Sequence, residues 1–243
     1  MKKIVLSVLI MSISLHLCAS VFVFLIGPFK TELVRYELYF TSHYNNLHIF
    51  YAGQNLESFS KQYQTIINSS ELEDTIIQIW AGHGGLTEHG KRGHGCFVLS
   101  DKMENDIDQG NELFCYDAIQ VMAAWLVARY ELRVVIILAD CYAGLLSDKF
   151  PINNNITVLL SVSANQINFF WDGCSWFSRL LLKNLVNTKN SGYLIDSINQ
   201  EYKDNMFIYN SLKIPSEREK FFGKAIDFYP LRAIHLGAYF NFK

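Results

Sequence analysis

The sequence is poor in cysteine, and its few cysteines show no repeated spacing. There are 5 cysteines among 243 residues, which indicates neither a disulfide scaffold nor a structural zinc site. An excess of basic residues is also lacking. The formal net charge of −2 gives no broad positive surface that could neutralise a row of phosphates. We therefore predict no nucleic-acid partner, no metal and no cofactor.

Internal repeats, low-complexity tracts and linkers are absent as well, which argues against several domains. Half of the residues are apolar and 14% are aromatic, enough for a folded chain with one well-buried core. We expect a single domain over residues 21–243, preceded by a short segment of a different kind.

Residues 1–20 have the order of a secretory signal. A basic start at 1–3 precedes an almost wholly apolar run at 4–17 and small residues at 18–20 that suit cleavage. Apolar character resumes at 21–26, so an uncleaved membrane anchor is a second interpretation, and a buried strand of a cytosolic protein is a third. The first two interpretations place the domain outside the cytosol, as a secreted, periplasmic or ER-lumenal protein, because positive residues favour the cytoplasmic side.

From residue 21 onward, short apolar runs alternate with longer amphipathic stretches, which is the pattern of an α/β fold with a mostly parallel sheet. We predict about six strands and five helices, and treat the polar, glycine-containing residues 86–115 as an elaborated loop or hairpin. The predicted strands are 21–27, 47–52, 75–81, 132–139, 156–162 and 231–236, and the predicted helices are 30–44, 55–70, 116–130, 175–187 and 193–203.

Two of these strands end in residues that can perform chemistry. Strand 75–81 leads into the glycine-flanked His83, and strand 132–139 leads into Cys141. Because the carboxyl ends of parallel strands converge on one crevice, we expect the two side chains to meet there. A thiolate is a strong nucleophile and an imidazole can protonate a departing amine, so the pair suffices for acyl transfer from a peptide bond. The backbone N–H groups of Gly84 and Cys141 are candidates for holding the oxyanion.

Two segments of the sequence resemble the caspase-like peptidases: DTIIQIWAGHGG at 74–85 and VVIILADCYAG at 134–144. Members of that group have one apolar strand ending in His-Gly and a second ending in an acidic or small residue plus cysteine. Within the group the two segments are most similar to the legumain family, which includes the catalytic subunit of the GPI transamidase. Metacaspases are close rivals. The resemblance implies a caspase-like three-layer α/β/α sandwich and a cysteine endopeptidase. That enzyme would cleave a peptide or protein substrate through a Cys141 thioester, with His83 as general acid/base.

The resemblance also suggests where a substrate binds. Metacaspases carry the acid of their basic-residue pocket two positions before the cysteine, where this chain has Ala139, so a preference for Arg or Lys is not supported. We assign Asp140, Ser161 and Ser163 to substrate binding. The two serines are chosen because they lie at the end of the predicted strand 156–162, where relatives line the primary pocket. Packing of two small residues under a loop is the alternative for Ser161 and Ser163.

Three questions stay open at this point. A transamidase-like acyltransferase would use the same thioester and deliver the acyl group to an amine, and a caspase-fold binding module would not react at all. The presence of both Cys141 and His83 favours an enzyme. Cys96 and Cys115 could pair in an oxidising compartment, but sequence alone does not establish their geometry.

Overall fold

The computed structural model describes residues 19–52, 55–87, 94–99, 113–149, 153–164, 166, 168, 170–171, 173–211 and 231–243. Most of the predicted signal or anchor segment, residues 1–18, lies outside these ranges, so its role stays a prediction. Within the described ranges, no helix has both the length and the apolar character needed to cross a bilayer.

The strands in chain order are β1 (Val21–Ile26), β2 (Leu47–Tyr51), β3 (Thr75–Trp80), β4 (His83–Thr87), β5 (His94–Val98), β6 (Leu113–Cys115), β7 (Arg133–Leu138), β8 (Ile156–Leu160), β9 (Phe170–Trp171), β10 (Cys174–Ser175) and β11 (Ile234–Gly237). Six of them form the sheet at the centre of the fold, with the strand order β11-β8-β7-β3-β1-β2. Neighbouring strands of this sheet are parallel except at the β8 edge, where β11 runs antiparallel.

Helices cover both faces of this sheet. One core joins Val23 and other odd-numbered residues of β1 to three helices, and a second core joins Phe24 and other even-numbered residues to the remaining two. The first group is α1 (Lys30–His43), α4 (Trp176–Leu185) and α5 (Ser191–Ser211), and the second is α2 (Leu56–Ser69) and α3 (Tyr116–Tyr130). The predicted three-layer α/β/α sandwich with a mostly parallel sheet of six strands is therefore confirmed.

The central strands are apolar along their whole length because each is covered on both faces. All six residues of β1 are buried, and β1 pairs with β2 on one side and β3 on the other. Residues 21–26 thus belong to the core of the sheet.

The stretch after His83 is more regular than a loop or a single hairpin. His83 itself begins β4, which pairs antiparallel with β5, and β5 pairs antiparallel with β6. The predicted loop or hairpin over residues 86–115 is therefore a hairpin of β4 and β5 to which β6 adds a third strand. The sequence does not show all three strands because they are short, glycine-containing and partly polar. The small three-stranded sheet stands at the carboxyl edge of the main sheet, where β3 ends.

Candidate active site

The carboxyl ends of β3 and β7 lie side by side, as predicted. The two strands pair in parallel with Trp80 opposite Leu138, and the Ala139 N–H continues the ladder to the Trp80 carbonyl at 2.8 Å. Three residues beyond each of these paired positions stand His83 and Cys141. β2 lies on one side of β1, whereas β3, β7 and β8 follow one another on the other side. Such a change of direction in an open α/β sheet opens a crevice at the carboxyl ends of the strands.

Gly84 brings the backbone of the His83 strand against the backbone of Cys141. A Cβ atom built on Gly84 would lie 2.0 Å from the Cys141 carbonyl oxygen and 3.0 Å from the Cys141 nitrogen. These distances are far shorter than carbon can tolerate, so only glycine fits here. From the sequence, the Gly84 N–H is predicted to hold the oxyanion. The structure adds a reason for glycine at this position, since the Cys141 backbone approaches Gly84 closely.

The His83 ring packs against an aromatic pair. Its ring stands edge-on to Phe29, with centroids 4.7 Å apart and planes at 82°, and Phe29 in turn contacts Phe170 at 4.4 Å. Contacts of this kind restrict the orientation of the ring. The sequence offered no signal for Phe29 or Phe170, because they belong to two segments far from His83 in the chain.

Cys141 occupies a sharp turn after β7. The next residue, Tyr142, has a left-handed φ of 59°, and its N–H donates to the Gln166 carbonyl at 2.8 Å. The partly exposed thiol lies 3.8 Å from the Asn168 carbonyl oxygen, to which it donates. Burial, and then the neighbouring Asp140, raise the pKa of the Cys141 thiol to about 12, so the resting sulfur carries its proton near neutral pH.

Asp140 is buried and faces α3. The residue is 1% exposed, and its Oδ2 accepts a hydrogen bond from the Tyr116 hydroxyl at 2.7 Å. Its Oδ1 is buried and has no hydrogen-bond partner among the residues that the structure describes. The predicted contact of Asp140 with a substrate would require this burial to be relieved.

The Tyr116 hydroxyl also lies 3.0 Å from the Cys141 carbonyl oxygen. A hydroxyl has one proton to donate, so Tyr116 shares it between the Asp140 carboxyl and the Cys141 carbonyl oxygen. Burial raises the pKa of Asp140 well above its usual range, which favours the protonated form of its carboxyl. Tyr116 thereby links Asp140 to the backbone of Cys141, and sequence reasoning missed it because Tyr116 and Cys141 are 25 residues apart.

The two predicted serines differ in their surroundings. Ser161 is fully buried, and its hydroxyl donates to the Asp140 carbonyl at 2.6 Å, which agrees with the alternative of packing under a loop. Ser163 is partly exposed and its N–H donates to the Gln166 side chain at 3.2 Å. Of the three residues assigned to substrate binding, Ser163 alone is partly exposed.

Replacing Asp140 by asparagine is expected to keep the fold and flatten the pH dependence of stability. The pKa of the folded state lies above the unfolded value of about 3.9. The stabilisation from Asp140 is therefore complete below that value and is lost as pH rises through the folded pKa. Asparagine keeps an acceptor oxygen for the Tyr116 hydroxyl and does not ionise. Above about pH 4 the wild type should lose at most about 1.4 kcal/mol of stability per pH unit from this group, and urea unfolding of Asp140→Asn should not show that loss.

Glu32 provides an internal control for this measurement. It is also fully buried, and burial raises its pKa too, so its own pH dependence is present in both proteins, and only its electrostatic effect on Asp140 differs between them. Parallel stability curves for the wild type and Asp140→Asn would contradict a neutral buried Asp140.

No family model matches the chain, and no curated protein matches it. Among solved structures, protein GSU0716 from Geobacter sulfurreducens is similar at 9% identity with a TM-score of 0.55, covering 76% of this chain and 89% of that one. The structure of drICE, a caspase, matches at 13% identity with a TM-score of 0.45, covering 77% of this chain and 83% of that one. Such low identities concern the fold alone, and the narrower resemblance to legumains rests on the residue motifs.

Proposed function

We propose that the chain is a cysteine endopeptidase with a caspase-like fold, in which Cys141 is the nucleophile and His83 the general acid/base. The observation that carries the proposal is the contact between the Gly84 and Cys141 backbones. It supports a single crevice for both side chains at the carboxyl edge of a parallel sheet, where such folds gather their reactive groups.

The raised pKa of Cys141 determines the order of proton transfer in this proposal. Because the resting sulfur is a thiol, the His83 imidazole must take its proton as the sulfur attacks the peptide carbonyl carbon. The carbonyl double bond opens to an oxyanion, which the N–H groups of Gly84 and Cys141 would stabilise. The His83 imidazolium then gives the proton to the leaving amine as the C–N bond breaks.

The product of this first half is a thioester on Cys141, which water must hydrolyse. His83, now neutral again, accepts a proton from water while the water oxygen attacks the thioester carbonyl carbon. His83 then returns that proton to the sulfur as the C–S bond breaks. If an amine replaced the water, the same steps would give acyl transfer. Adding an amine and analysing the products separates hydrolysis from the transamidase-like alternative.

A caspase-fold binding module without activity is the second candidate. The raised thiol pKa favours it, since an inert buried cysteine has the same property. The two candidates differ in whether an electrophile that mimics a substrate can recruit the sulfur.

Labelling with acyloxymethylketone probes that vary the residue at the cleavage position tests this choice. We expect one or a few probes to modify Cys141 stoichiometrically, because binding aligns the carbonyl carbon with the sulfur, and we expect no modification of Cys141→Ala. Mass spectrometry of intact protein and its peptides locates the adduct. Failure of the whole panel to modify Cys141 in folded protein would leave the binding module as the better reading.

A further inference from the structure

A second pair of cysteines lies close to the candidate site. Cys96 of β5 and Cys115 of β6 occupy directly opposite positions of two antiparallel strands. Both thiols are free, Cys96 buried and Cys115 exposed. Opposite residues in such a pair have Cα atoms about 4.5 to 5.5 Å apart, within the range of about 4.4 to 6.8 Å that disulfides span.

We propose that Cys96 and Cys115 form a disulfide modification site that reacts with small-molecule disulfides such as oxidised glutathione. The side chains lie on the same face of the small sheet, because opposite residues of paired strands always do. The pKa of the Cys96 thiol is raised to about 11, first by burial and then by the nearby Cys115. The second cause reflects the short distance between the two cysteines. No other two cysteines of the described residues face each other in strand register.

The difference in exposure orders the reaction. The Cys115 thiolate attacks one sulfur of oxidised glutathione, which forms a mixed disulfide and releases one glutathione thiolate. Cys96, which the solvent cannot reach directly, then attacks the Cys115 sulfur and displaces the second glutathione. The two protein thiols lose two electrons and two protons in total, and one oxidised glutathione becomes two glutathione thiols.

The site would link the two sides of the crevice. Cys96 stands opposite Gly85, the second residue after His83. Cys115 directly precedes Tyr116, whose hydroxyl contacts the Cys141 carbonyl. A bridge between them would hold the His83 sheet to the start of α3, and through Tyr116 to the Cys141 turn. Oxidation should therefore stabilise the folded chain, because a cross-link between paired strands restricts the unfolded chain.

Peptide mapping of the full chain tests the proposal. Folded protein is equilibrated with oxidised or with reduced glutathione, alkylated and digested without reduction. We expect a peptide that links Cys96 to Cys115 after the oxidised treatment only, and a rise of several degrees in the thermal midpoint. Cys115→Ser should lose both effects. Cys174, buried in β10, serves as the internal reference and should stay unlinked.

Three results would overturn the site. Glutathione that remains on Cys115 would show that Cys96 cannot reach the mixed disulfide. A disulfide from either residue to Cys141 would assign the reactivity to a different pair. A Cys96–Cys115 disulfide with an unchanged thermal midpoint would contradict the stabilising role. None of these readouts uses peptidase activity, so they stand or fall separately from the proposed function.

Discussion

Cys141→Ala and His83→Ala are each expected to lower kcat/KM by on the order of 10⁴-fold or more, while leaving the fold intact. Alanine at 141 removes the sulfur that would form the thioester, and alanine at 83 removes the group that must accept its proton, a need sharpened by a thiol pKa of about 12. Because the two residues act as a unit, the double variant should be scarcely worse than either single one. Fluorogenic peptides chosen from the probe panel measure turnover.

Cys115→Ser, assayed under reducing conditions, is the matched control for these variants. It also removes a thiol, but one exposed at the end of β6, and should retain the wild-type rate. Thermal unfolding checks that each alanine variant is folded. Substantial cleavage by purified, folded Cys141→Ala would remove the nucleophile assignment, whereas normal turnover by His83→Ala would remove only the acid/base role.

Gly84→Ala is expected to cost at least about 100-fold in turnover. The new methyl carbon would begin 2.0 Å from the Cys141 carbonyl oxygen, so the two backbones must separate by roughly 1 Å or more before the contact becomes tolerable. Displacements of this size in a reacting group cost about 10²-fold, and overpacking costs about 1–3 kcal/mol of stability. Peptide turnover and urea unfolding measure the two effects.

Gly192→Ala provides a comparison for this substitution. A Cβ there would lie 2.2 Å from the ring of Tyr239, an equally close approach, but Tyr239 is 72% exposed and its side chain can rotate away. We expect near-normal activity for this variant. Equal losses in the two alanine variants would mean that the Gly84 contact has no special place in the reaction.

The main sheet was predictable because its strands obey a simple physical rule. Runs such as residues 21–26 and 134–138 are apolar at every position since helices cover both faces, and such short unbroken runs can be found in the sequence directly. The predicted helix 55–70 is α2, and Asn55 caps its start by accepting the Ser58 N–H at 2.8 Å. The small sheet of β4, β5 and β6 was not predictable, because short strands with glycine carry little pattern.

The candidate site was predictable only in its order along the chain. The positions of His83 and Cys141 follow from the ends of two strands. The direction of the Asp140 side chain depends on the turn into Tyr142, whose φ is 59°, and no sequence motif predicts that turn. Tyr116 and Asp140 meet across 24 residues of separation. Contacts of that kind arise from packing between α3 and the sheet, and a single sequence does not encode them locally.

The antiparallel strand β11 has a consequence for the timing of folding. It pairs with β8 through contacts such as Leu236 opposite Val158, and some 70 residues separate the two strands. During synthesis, β1, β2, β3, β7 and β8 can assemble first, which leaves the outer backbone groups of β8 unpaired until residue 237 has emerged. Such an open strand edge invites association with other chains. Until β11 completes the sheet, the open edge of β8 is therefore a place at which a nascent chain can aggregate.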